Sequence, residues 1–297
     1  ADQFLRAKAE AENARRRAEE LALKALEAGV DQFGGNNEMA PVMEAYRMGV
    51  AEHGETFMRK RFEASAVRLL LNIFRTGLFE NPYLDPAETA ATVGNPEFMK
   101  AGFEAQLRSV ILLKNKNGVL PLNKGLRVYI PKKLLPGGRN WFGMETPERW
   151  VDALSPEIAG RYFTLTDKAE EADAALVCID SPKGGTGYSP EEAAHGGNGY
   201  LPISLQYTPY TAVEARATSL AGGSPFESFT NRSYRGKSVT TANAHDLKAV
   251  TDTRNLMGDK PVIVVVKLSN PMIFSEVEPS ASAILVHMGV QDQALLD

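Results

Sequence analysis

The feature that most constrains this chain is a set of aliphatic runs in its second half. Residues 174–179 (AALVCI), 262–268 (VIVVVKL) and 283–287 (AILVH) are too short for long helices and are unbroken rather than alternating. A strand with one solvated face alternates apolar and polar residues, whereas a continuous run is expected when helices cover both faces of a sheet. Residues 110–113 and 126–130 add two shorter strand candidates. Helical stretches are expected at 147–154, 210–219 and 244–257, and this alternation predicts a mainly parallel α/β sheet.

The first half reads differently. Residues 3–28 are almost wholly Ala, Glu, Arg, Lys and Leu, the best helix formers, and Gly29 stands where a C-cap belongs. The middle of that helix, residues 7–17, can bury little beyond alanine and should be solvated. So uniform a composition is also how an engineered helix is written. Helical periodicity returns at 39–52 and at 56–76. The second of these places Phe57, Phe62, Val67, Leu70, Leu71 and Phe74 near one face and stops at Gly77. Asn81-Pro82, Asp85-Pro86 and Asn95-Pro96 disfavour continuous helix, so 77–97 reads as an extended linker. The expected organisation is a helical segment over 1–76, the linker over 77–97 and an α/β domain over 98–297.

Several function classes are excluded by simple counts. Lys and Arg number 33 against 37 Asp and Glu, a net charge of -4 that is opposite to a nucleic-acid footprint. No aliphatic run approaches the ~20 residues that span a bilayer, so no membrane segment is expected. Cys178 is the only cysteine, which rules out an internal disulfide and a cysteine zinc site. His53, His195, His245 and His287 are scattered without an i, i+4 pair, so no metal is expected. No signal peptide is visible in this chain, and bacterial periplasmic, secreted and cytoplasmic locations all remain open.

Three motifs stand out. Gly184-Gly185-Thr186-Gly187-Tyr188 follows the strand at 174–179, and ligands collect at the carboxyl ends of strands in open α/β sheets. Asp180 and Tyr188 would line such a pocket, the alternative being a flexible turn. Arg235-Gly236-Lys237-Ser238 ends like a phosphate-binding loop, but position 231 is Asn where that loop needs Gly, so no nucleotide is expected. Glu227 lies between Phe226 and Phe229, and partial desolvation by aromatics can keep a carboxyl protonated for general-acid work. A solvated loop carboxylate is the alternative.

Taken together, the segments resemble glycoside hydrolase family 3, the family of β-glucosidases, β-xylosidases and β-N-acetylglucosaminidases. The matching stretches are Ala28-Gly29-Val30-Asp31-Gln32-Phe33-Gly34-Gly35, Gly77-Leu78-Phe79-Glu80-Asn81-Pro82-Tyr83, and Ser109-Val110-Ile111-Leu112-Leu113-Lys114-Asn115 running into Gly118-Val119-Leu120-Pro121-Leu122. The last is the most specific. The resemblance covers nearly everything after residue 28, and residues 1–28 match only as a generic helix. It implies the end of a (β/α)8 barrel, a linker and most of an α/β sandwich, truncated at both ends.

The resemblance also implies a mechanism. Members are retaining: a barrel Asp attacks the anomeric carbon while a carboxylic acid, in many members on a sandwich-domain loop, protonates the leaving oxygen. On this resemblance Glu227 is the general acid/base, Glu191 and Glu192 are the runners-up, and Asn231 and Arg232 join Asp180 and Tyr188 as substrate-binding residues. Asp31 is positional. The nucleophile of the family lies in a Ser-Asp-Trp-like segment upstream, and residues 1–27 hold only Asp2, followed by Gln3. The expected function is therefore that of a retaining β-glycosidase portion lacking its nucleophile, without a cofactor. Its expected partners are a β-glucoside-like carbohydrate and a second chain completing the barrel. The alternatives are a non-catalytic truncated or redesigned scaffold, and a carbohydrate-binding domain using Trp141, Tyr188 and Tyr200 as stacking platforms.

Overall fold

A computed structural model describes residues 16, 18–35, 38–139, 144–184, 187–221 and 231–297. Asp2, most of the alanine-rich stretch at 7–17, Trp141 and Glu227 lie outside the described residues. The chain divides into two compact units, Ala1–Asn95 and Pro96–Asp297.

In the first unit, residues 18–27 are helical and are followed by helices α1 (Met39–His53), α2 (Glu55–Arg75) and α3 (Pro86–Thr92). Leu23, Leu26, Ala45 and Met58 form its buried cluster, with Phe33, Tyr46 and Phe62 packed against it. Gly49 sits where the elements approach most closely, since a Cβ there would lie 2.5 Å from Met58 Sδ and 2.8 Å from Leu23 Cδ1. The inward face of α2 is Met58, Phe62 and Ser65, while Phe57, Val67, Leu70, Leu71 and Phe74 are exposed. The apolar stripe read from the sequence is thus largely not the face that α2 buries. The stretch expected to be extended holds α3, whose first turn is capped by the Asp85 carboxylate accepting from the Ala87 N–H at 2.7 Å.

The second unit opens with α4 (Pro96–Ser109) and is built on a six-stranded sheet. Its strands are β1 (Ile111–Asn115), β2 (Arg127–Tyr129), β3 (Thr164–Thr166), β4 (Ala174–Asp180), β5 (Val262–Lys267) and β6 (Ala283–His287). Their order across the sheet is β1-β6-β5-β4-β2-β3, with β1 antiparallel at one edge and every other pair parallel. Helix α5 (Ala244–Met257) covers one face, where Val250 and Met257 meet Val177, Ile179, Val262, Val264 and Val266. Ile263, Val265, Leu176 and Ala283 point the other way and pack with Leu154, Leu295 and Leu296, the last two on α6 (Asp292–Leu296). Alternate residues of one aliphatic run therefore bury on opposite faces, which is why the run is unbroken.

Two expected helices are absent. Arg149–Val151 instead pairs antiparallel with Lys133–Leu135, and Tyr210–Thr211 pairs antiparallel with Ser238–Val239. Both segments find distant partners, and tertiary pairing overrides weak local helix preference. The Thr-Leu-Thr strand β3 is too short to stand out as a pattern. Among the described residues no helix is long and apolar enough to cross a membrane.

Candidate functional site at the carboxyl ends of the strands

Strand β2 lies between β3 and β4, so the chain leaves it towards one side of the sheet and later returns on the other. A crevice at such a reversal point is where open α/β sheets bind ligands. Asp180, the last residue of β4, stands there. Its Oδ1 accepts from Lys133 Nζ at 2.6 Å, bridging to the loop after β2, and its Oδ2 accepts from Lys183 Nζ at 2.6 Å. Burial opposes ionisation of Asp180, but the two lysine hydrogen bonds outweigh it and hold the carboxyl below its usual range. At neutral pH the side chain is an ionised acceptor and has no proton to give.

A buried polar network fixes the backbone beyond Asp180. The Asn243 amide accepts from the Lys183 N–H at 2.6 Å and donates to the Ser181 carbonyl at 3.2 Å and to Asp246 Oδ2 at 2.8 Å. Asp246 Oδ2 also accepts from the Asp180 N–H at 3.1 Å. Burial raises the Asp246 pKa, against the hydrogen bonds from Asn243 and the Asp180 backbone. The fully buried Ser181 hydroxyl donates to Asn270 Oδ1 at 3.0 Å and accepts from the Ser269 N–H at 3.0 Å, joining this loop to the one after β5. Tyr207 OH donates to the Asp180 carbonyl at 2.5 Å, and burial drives its pKa far upward. Among the described residues no buried side-chain polar atom lacks a partner.

A second cluster forms where the loop leaving β4 doubles back. Tyr188 and Tyr200 face each other across a single β-bridge, rings 5.4 Å apart at 78°, and the Arg232 guanidinium lies 5.4 Å from the Tyr200 ring centre. Gly199, at φ +76°, permits this approach, because a Cβ there would lie 2.3 Å from Tyr188 Cε2. Tyr188 remains 43% exposed. Beneath the pair, Lys237 Nζ donates to Asn198 Oδ1 at 2.5 Å and pairs with Glu192 Oε1 at 2.5 Å. The lysine of the phosphate-loop-like sequence is thus bound to a carboxylate. The Lys237 hydrogen bond lowers the Glu192 pKa, which suits an acceptor and not a general acid.

Asn231 closes a clasp. Its Oδ1 accepts from the N–H groups of Ser219 and Ser233, each at 3.0 Å, and its Nδ2 donates to the Ala217 carbonyl at 2.9 Å. Tyr188 and Arg232 are therefore brought together at Tyr200, Asp180 stands at the strand end, and Asn231 spends its amide on loop backbone.

Asp31, in the first unit, accepts from Ser65 Oγ at 2.8 Å, Arg61 at 3.1 Å and Arg68 at 3.1 Å. The Ser65 hydrogen bond, with those of the arginines, lowers its pKa. Asp31 thus ties its loop to α2, as a positional residue would. Lys133, Asn243 and Asp246 were not legible as site residues. An Asn just before a helix reads as a cap, yet the Asn243 side chain makes no capping hydrogen bond and crosses to the neighbouring loop instead.

No family model matches the chain. Beta-glucosidase C of Emericella nidulans is 28% identical over 276 residues, which are 93% of this chain and 34% of that protein. The Periplasmic beta-glucosidase/beta-xylosidase of Dickeya chrysanthemi is 25% identical over 279 residues, 94% of this chain and 32% of that one. A short match of another kind, to Protein GrpE of Acidovorax sp., is 48% identical over 56 residues, 19% of this chain. The fold is similar to the crystal structure of a beta-glucosidase from Listeria innocua in complex with glucose, with a TM-score of 0.54, 18% identity and coverage of 94% of this chain and 35% of that one. The chain spans about a third of the length of the two glycosidase relatives. Along nearly its whole length the chain is similar to one β-glucosidase and one β-glucosidase/β-xylosidase, and its fold to that of a third β-glucosidase.

Proposed function

We propose that the chain supplies the saccharide-binding lip and the proton donor of a retaining β-glycosidase acting on terminal β-glucosyl or related residues. The observation that carries this reading is the Tyr188–Tyr200 pair with Arg232 beside it, in the loop leaving the carboxyl end of β4. Aromatic faces hold the apolar faces of sugar rings, and the ionised Asp180 is a ready acceptor for hydroxyl groups. Glu227, between the clasped ends at 217–219 and 231–233, is the acid/base. Double displacement needs a second carboxylate ~5–5.5 Å away. Residues 1–27 hold no Ser-Asp-Trp-like segment, so in this reading the nucleophile is supplied by barrel sequence other than residues 1–297.

The test has two parts. Glucose and laminaribiose binding is measured by calorimetry with wild type, Tyr200→Ala and Arg232→Ala. Hydrolysis of nitrophenyl β-glycosides and laminaribiose is then measured for the chain alone and mixed with the barrel portion of Beta-glucosidase C. The expected result is turnover in the mixture only, falling about 10²-fold or more with Glu227→Gln. Equal rates for wild type and Glu227→Gln would overturn the assignment of Glu227, and a sugar-binding stoichiometry and affinity both unchanged in Tyr200→Ala would overturn the lip.

A second reading is a non-catalytic carbohydrate-binding domain. One observation favours it: Asp180 and Glu192, two described carboxylates of these loops, are both held ionised by lysines. In that case Glu227→Gln leaves sugar binding intact and no mixture hydrolyses the glycosides.

A further inference from the structure

We propose that the crevice between the ends of β2 and β4, on the α5 side of the sheet, is a second saccharide site whose platform is Trp150. A cavity of about 610 Å³ opens there, walled by Tyr129 at the end of β2, Leu134 and Trp150, with Ala249, Thr253 and Leu256 of α5 opposite. That volume lies in the range of small-molecule sites, and its position beside the reversal point is where this architecture collects ligands. None of these residues belongs to the Tyr188–Tyr200 lip, and the cavity touches the Asp180 network only through Lys133 and Asp246, so the site stands whether or not the chain takes part in hydrolysis.

The strand pair and the helix that carry these walls are tied to one another. Leu134 and Trp150 are directly opposite in the antiparallel pair of Lys133–Leu135 with Arg149–Val151, so both side chains leave the same face. His245, at the start of α5, donates from Nε2 to the Leu134 carbonyl at 3.1 Å, setting the distance between helix and strand pair. Trp150 is nonetheless 62% exposed. An indole left open to solvent beside an apolar wall can stack on a ring with one apolar face.

The charges around it select a neutral ligand. Every lysine lining the cavity is already paired: Lys133 with Asp180 at 2.6 Å, Lys248 with Asp252 at 2.5 Å, and Lys132 with Asp152 at 3.9 Å. An anion approaching any of these lysines would meet the paired carboxylate as well, which cancels most of the attraction. Vicinal hydroxyls meet no such cancellation, because each pair offers a donor and an acceptor side by side, and a hydroxyl is both. The class of ligand is therefore an uncharged pyranoside, one ring over Trp150 with its hydroxyls towards Lys248 and Asp252.

Calorimetry with laminaribiose on the full chain carrying Tyr200→Ala isolates this site from the lip. Binding should persist in that background, weaken about tenfold or more with Trp150→Ala, and return with Trp150→Phe. Because Trp150 is exposed, the thermal midpoint of Trp150→Ala should stay at the parent value, separating lost binding from lost fold. Binding that is absent in Tyr200→Ala, unchanged by Trp150→Ala, or displaced by inorganic phosphate would overturn the proposal. Absence of binding in Tyr200→Ala alone would leave the lip standing, and loss in Trp150→Ala with Tyr200 intact would refute the lip instead.

Discussion

The sheet of the second unit and the loops at its carboxyl end are held together in opposite ways. In β5, Val262, Val264 and Val266 bury towards α5 while Ile263 and Val265 bury on the other face. Their packing follows from a two-residue period and nondirectional contact. Beyond the strand ends, Asn243 binds Lys183 and Ser181, sixty or more positions away, and Ser181 binds Ser269 and Asn270, more distant still. Those bonds are directional and each has one correct partner. The difference implies a core that tolerates exchange of one apolar residue for another of similar volume and a rim that tolerates few changes of chemistry.

Three substitutions break or sharpen that contrast. The largest effect is expected from Ile263→Ala, which removes a fully buried side chain from the face away from α5 and should cost about 2–5 kcal/mol. Urea unfolding measures it as a lower midpoint at constant m-value, and a loss below ~1 kcal/mol would show that this face is not closely packed. Asn243→Ala should cost about 1–3 kcal/mol, because it orphans the Lys183 N–H and removes a donor from Asp246. Its signature is local: amide hydrogen exchange should accelerate at 181–184 and stay unchanged in β5. Equal protection at 181–184 in mutant and wild type would show that the rim does not depend on this amide.

The smallest effect is that of Asp180→Asn, about 1 kcal/mol at neutral pH. Its sign can be checked by titration. The folded pKa of Asp180 is depressed, so its contribution is fully present above the unfolded value near ~3.9 and is lost as pH falls through the folded value. The stability gap between wild type and Asp180→Asn should therefore be flat near neutrality and close below about pH 4. A gap that widens on acidification would mean that Asp180 is not held ionised by Lys133 and Lys183.

Much of the core was legible because hydrophobic periodicity is local. The runs at 174–179, 262–268 and 283–287 gave the central strands, and α5 coincides with the helix expected at 244–257. The failures have one cause. Residues 147–154 and 210–219 carry helix-compatible patterns, yet their β pairing is with Lys133–Leu135 and Ser238–Val239. The stripe on α2 failed similarly: the face that packs is chosen by Leu23, Leu26 and Ala45, which lie on other helices.

The candidate site divides along the same line. Tyr188 and Arg232 were legible as residue types beside a glycine-rich loop, but only folding brings both to Tyr200. Asp180 was legible from its place after an aliphatic strand. Its ionised state was not, because Lys133 lies 47 positions earlier in the chain.

By itself, then, the sequence determined the class of sheet, the strands that form its core and the family resemblance, because these depend on short-range periodicity and on consecutive residues. The tertiary structure alone decided which carboxylates are ionised, which amide holds the rim and which tryptophan looks into the crevice. Hydrogen bonds and ion pairs depend on distance and direction between groups far apart in the chain, and no local pattern records either.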